Sequence, residues 1–179
     1  MGLDMYIFKT NNHKNSIEKL LHDIDSAVQA DVQETICIGG FNLWFREVGD
    51  EKNHVDMLDH VAYWRKANHI HEWFSRNVIG NRPNKTEKNA GFITREKLLL
   101  LSKTCADVLK RCTTETGEIR IDEPYCRKVF PPNTHITFGG STEYDEYFIE
   151  ELRTTLSKIN ALLLTTNFNQ SVLLYFAYH

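Results

Sequence analysis

Imidazole, indole, amide and cationic side chains crowd into one run, His60-Val61-Ala62-Tyr63-Trp64-Arg65-Lys66-Ala67-Asn68-His69-Ile70-His71-Glu72-Trp73-Phe74, and their spacing limits the chemistry open to them. Tyr63, Ala67, Ile70 and Phe74 repeat at i, i+4, i+7 and i+11, which predicts a helix with one apolar stripe. On that helix His60, Trp64 and His71 share one flank, Lys66 and Trp73 the other, and Arg65, Asn68, Glu72 and Arg76 point away. His69 and His71 would diverge by about 160°, and His60 and His71 would lie about 16 Å apart along the axis, so neither pair chelates one ion. The chain has no His-Glu-x-x-His, EF-hand or P-loop pattern, and we assign no metal ligand, cofactor or catalytic residue. His135-Ile136-Thr137-Phe138 matches half of the His-x-Thr pair of two-histidine phosphoesterases, whose chemistry needs a second imidazole as acid. The second copy is missing, so phosphoester hydrolysis ranks as the weakest alternative.

Stacking and charge pairing need no positioned acid or base, and those groups are present. Trp64, Arg65, Lys66, Asn68 and His71, facing a turn with Ser141, Thr142 and Tyr144, are the ligand-binding candidates. A flat base would stack on a ring while a phosphate paired with a cation, which suits a small anionic nucleotide-like molecule held without turnover. The alternative is a protein-binding inhibitor that docks a host factor through the same surface, because Trp, Tyr and Arg also anchor protein interfaces. The sequence leans away from an enzyme.

The elements that must hold these residues follow from the patterning. Leu3 to Phe8 and Val172 to Tyr178 read as strands that neighbour each other, since neither end is polar enough to be left untied. Asn15 caps a helix carrying Ile17, Leu20, Leu21, Ile24 and Val28; residues 34–38 and 41–48 read as strands about a Gly39-Gly40 turn. A polar, locally basic loop is expected at about 80–91. Thr94 caps a helix whose Leu98, Leu101, Cys105, Val108 and Cys112 form one buried stripe. Ile119 reads as part of a short strand, while Pro124 and Pro131-Pro132 break regular structure. Strand, glycine turn and helix follow from Ile136, with Thr142 and Asp145 as a capping box and Phe148, Leu152, Ile159 and Leu163 as the stripe. Helices and strands mix without strict alternation, which predicts one α+β domain over 1–179, a mostly antiparallel sheet packed against several amphipathic helices.

Composition narrows the setting. With 179 residues and a formal charge of −3, the chain can bury a sizeable core and has no global basic field for nucleic acid. Cys37, Cys105, Cys112 and Cys126 lack C-x-x-C spacing and read as structural free thiols, Cys105 and Cys112 being too far apart along a helix to bond. No apolar run is long enough to span a bilayer and the amino end lacks a signal peptide, so a cytoplasmic location is expected, with homo-oligomerisation left open.

Three stretches also occur in a familiar order: Met1-Gly2-Leu3-Asp4-Met5-Tyr6, then Tyr63-Trp64-Arg65-Lys66-Ala67-Asn68 with Ile70-His71 and Trp73-Phe74, then Phe138-Gly139-Gly140-Ser141-Thr142-Glu143-Tyr144-Asp145-Glu146-Tyr147. This set resembles an uncharacterised family of small proteins from bacteriophages, prophages and bacteria. The family's last motif runs more nearly as Phe-Gly-Ser-Thr, so the second glycine is a departure. The resemblance covers about half the chain and implies a phage-related protein of the host cytoplasm; it carries no activity or site residues. By analogy with phage proteins that sequester nucleotide signals, an anti-defence role fits the expected ligand.

Overall fold

The computed structural model describes residues 2–10, 58–80, 89–114, 116–134 and 140–178. The capped helix expected from Asn15, the strands and Gly39-Gly40 turn that follow it, Cys37, most of the 80–91 loop, His135 and the strand that begins at Ile136 lie outside them.

Four strands form one antiparallel sheet: β1 (Asp4–Thr10), β2 (Leu58–Arg65), β3 (Asn89–Ile93) and β4 (Val172–Tyr178), in the order β2-β1-β4-β3. The two terminal strands pair along their length, from Asp4 opposite Tyr178 to Thr10 opposite Val172, as their apolar composition required. Alternation sends Leu3, Met5, Ile7, Ala62, Trp64, Leu173, Tyr175 and Ala177 to one face, where they share a core with the helices. Those helices are α1 (Asn68–Phe74), α2 (Arg95–Cys112), α3 (Glu123–Val129) and α4 (Glu146–Thr165), giving an α+β fold. Thr94 caps α2, its hydroxyl accepting from Lys97 N, and all five residues of the expected α2 stripe are fully buried. Phe148, Leu152 and Ile159 of α4 are buried and Leu163 is partly so. No described helix is long and apolar enough to cross a membrane.

Six expectations are corrected. The first part of the expected His60–Phe74 helix is strand, within β2: β1 offers a pairing edge, and Ala62 and Trp64 turn inward while Tyr63 and Arg65 turn outward at period two. The helix therefore starts at Asn68, and although Ala67, Ile70 and Phe74 are buried as expected, Tyr63 is 36% exposed. Asn68, expected to point away from the core, is buried instead. Residues 89–91, expected within the loop, belong to β3, which pairs with β4. Around Pro124 a helix starts rather than stops, because proline in a first turn gives up no needed donor and Asp122 accepts from Tyr125 N as the cap. The expected strand at Ile119 reduces to one bridge with Thr113. On α4 the cap is Asp145, accepting from Phe148 N at 3.0 Å, whereas Thr142 lies ahead of the helix.

Both sheet edges are occupied. Along β3, Gly91 packs against Val78 in a π-helical turn, Ser75–Ile79, that continues α1. On β2, the Lys158 ammonium of α4 donates to the carbonyl of Tyr63. A lysine on an edge carbonyl blocks pairing with a further strand.

Candidate functional site

The chain leaves β2 through a reversal of two residues. Lys66 takes a left-handed backbone (φ 58°), and its N–H donates to Leu3 O at 2.7 Å. Ala67 (φ −82°, ψ 73°) then makes an inverse γ-turn, closed by Asn68 N donating to Lys66 O at 3.0 Å. Against this reversal rests the turn that leads into α4: a Cβ at Gly140 would overlap the Lys66 carbonyl, so only glycine allows the approach.

Asn68 grips the segment after Pro131-Pro132 with both ends of its amide. Its Nδ2 donates to Asn133 O at 3.0 Å and its Oδ1 accepts from Asn133 N at 2.7 Å. Beside it His69, 2% exposed, lies against the rings of Tyr144 and Phe148, each 4.8 Å away. Burial drives its pKa down to about 4, opposed by a hydrogen bond to the Thr142 backbone, so the ring is neutral near pH 7. Its Nε2 has no partner among the described residues. Tyr144 is fixed by its hydroxyl, which donates to Phe130 O at 2.8 Å, and by Arg127 over its ring. Burial pushes its phenol up to about 12.

Of the eight residues singled out by sequence, Lys66, Asn68, Ser141, Thr142 and Tyr144 meet at this junction. Trp64 does not offer a face to it. It is 4% exposed, its indole N–H donates to Thr155 Oγ1 at 2.9 Å, and Phe74 and Lys158 cover its ring. His71 is buried as well, with Nδ1 2.7 Å from the Tyr175 hydroxyl and Ser75 Oγ 3.4 Å from Nε2. That hydroxyl–imidazole–hydroxyl chain satisfies polar atoms in an otherwise apolar interior. Arg65 stands on the other side of the sheet, 3.9 Å from Asp4.

Sequence reasoning passed over the flank of α4 beside the junction. Tyr147, Glu151 and Lys158 recur at i, i+4 and i+11, a spacing that the strong apolar stripe next to it obscures. Lys158 reaches Tyr63 and Thr155 reaches Trp64, so helix and strand run alongside in opposite directions. Glu151 lies about two turns before Lys158 on this flank, toward the end of α4 that begins beside the junction. Burial raises the Glu151 carboxyl to about 7, helped by Asp145 and opposed by Lys158. Among the described residues no salt bridge involves Glu151 or Lys66, although the Lys158 ammonium acts on the Glu151 carboxyl through space. Tyr147, one turn ahead, is 83% exposed.

Among the described residues no group of His, Cys, Asp and Glu side chains could hold a metal ion. No family model, curated protein or solved structure matches the chain.

Proposed function

We propose that the protein binds a small, anionic, base-containing molecule at the junction of β2 and α4 and does not turn it over. The observation that supports this reading is the meeting of Lys66, whose carbonyl lies against Gly140, with Ser141 and Thr142 at one junction, beside the flank of α4 that carries the half-buried Glu151. A carboxylate accepts from ring and amino N–H groups of a base, while Lys66, with the hydroxyls of Ser141 and Thr142, suits a phosphate. The exposed Tyr147 ring offers a stacking face, a role that buried Trp64 does not take. Sequestration of a nucleotide signal is supported by the motifs that resemble phage proteins.

Calorimetric titration with cyclic and linear nucleotides tests the proposal. Binding by at least one, weakened ten-fold or more in both Lys66→Met and Glu151→Gln, is the expected result. No heat with any nucleotide, together with a host protein recovered on the immobilised chain, would replace it with the docking reading, which the exposure of Tyr147 also favours.

A further inference from the structure

Three of the four cysteines lie in the described part of the chain, and all three are buried. Cys105 is fully buried in the middle of α2. Cys112, at the end of α2, and Cys126, in α3, instead place their sulfurs 3.6 Å apart. Their spacing in sequence does not advertise this contact. It arises because the segment after α2 doubles back: Arg120 N donates to Cys112 O at 2.9 Å, Asp122 N donates to Cys112 Sγ at 3.4 Å, and α3 then begins under its Asp122 cap.

We infer that Cys112 and Cys126 form an oxidisable pair that closes to an intramolecular disulfide in the presence of a low-molecular-weight disulfide. A sulfur–sulfur bond is about 2.05 Å, so the two atoms must approach by roughly 1.5 Å, within the reach of a small shift of a seven-residue helix. The thiolate of one cysteine attacks the small disulfide, breaking its sulfur–sulfur bond, forming a mixed disulfide and releasing one thiolate. The second cysteine, deprotonated, displaces the other half. Two protein thiols and one small disulfide thus become one protein disulfide and two small thiols. Burial, and then the neighbouring Cys112, push the Cys126 thiol up to about 12. The folded protein therefore reacts slowly near neutrality and faster as pH rises. The bond would also fix the wall of the junction, since α3 carries Arg127 over Tyr144 and ends at Phe130, whose carbonyl holds the Tyr144 hydroxyl.

The test is incubation of the full chain, with Cys37 replaced by serine, with oxidised glutathione at neutral and mildly alkaline pH, followed by intact-mass measurement, denatured thiol counting and peptide mapping. The expected result is loss of two hydrogens and two thiols, a cross-linked peptide pair containing Cys112 and Cys126, and a higher melting temperature that dithiothreitol reverses. Cys126→Ser should abolish the cross-link; should that variant not fold, the peptide map of the parent protein decides alone. A stable glutathione adduct on either cysteine, a cross-link to Cys105, or three thiols intact after prolonged alkaline incubation would overturn the inference.

Discussion

The carbonyl oxygen of Lys66 occupies the space into which any side chain at position 140 would project, so Gly140 and the left-handed Lys66 are locked face to face. The contact joins two parts of the chain more than seventy residues apart and seats the turn into α4. Gly140→Ala must push one backbone off the other, because neither neighbour is a flexible side-chain end. A loss of about 1–3 kcal/mol in denaturant unfolding is expected. A cost below about 0.5 kcal/mol, ordinary for surface positions, would mean that the two backbones are not in contact.

Trp64 and Thr155 hold β2 to α4 through one buried hydrogen bond. Thr155→Val should cost about 1–3 kcal/mol, because the indole N–H is left without an acceptor. In Trp64→Phe the ring is smaller but the donor is gone, and adding Thr155→Val to it should cost much less than Thr155→Val alone. Additive effects in this double-mutant cycle would remove the hydrogen bond from the account.

Phe74 stacks on Tyr175 with ring centres 4.1 Å apart, and Ile70 is fully buried on the same helix. Ile70→Ala should destabilise by about 2–5 kcal/mol and Phe74→Ala by about 3–5 kcal/mol through lost burial and the cavity left behind. Equilibrium unfolding monitored by circular dichroism measures both, and a near-neutral result at either would put α1 in the wrong phase.

Two buried titrations oppose each other in pH. His69 is held below its ordinary value, so between about 4 and 6.5 the unfolded chain binds the extra proton, and this group's contribution to stability is lost as pH falls through that window. By linkage the loss is on the order of 3 kcal/mol. Glu151 is raised from 4.5 to about 7, so the folded chain binds the extra proton and stability is lost as pH rises through that window. Glu151 keeps some contact with water, which makes its effect the smaller. The parent protein should thus vary weakly between pH 4.5 and 6.5. Glu151→Gln should gain stability relative to the parent as pH climbs from 4.5 to 7. Parallel pH profiles for the two proteins would remove Glu151 from the balance.

Much of this fold was legible locally. The strands at both termini, the stripes of α2 and α4 and the Thr94 cap follow from alternation, 3.6-residue periodicity and a hydroxyl before an apolar repeat, all set by residues close in sequence. The run from His60 to Phe74 was ambiguous because it satisfies both periods. Tyr63, Ala67, Ile70 and Phe74 repeat as a helix does, while Ala62 and Trp64 alternate with Tyr63 and Arg65 as a strand does. Only the pairing of Met5 with Trp64 and Tyr6 with Tyr63 resolved it, through hydrogen bonds to a segment far earlier in the chain. The candidate site was half legible for the same reason. Ring and charge types named Lys66, Ser141, Thr142 and Tyr144, but burial depends on what packs above a residue. Tertiary packing turned Trp64 and His71 inward, set the amide of Asn68 on Asn133, left His69 Nε2 without a partner among the described residues and put Glu151 on the flank of α4 beside the junction. Side-chain type and local period are properties of the sequence; which face meets water and which residues meet across the fold are decided when the sheet closes over the helices.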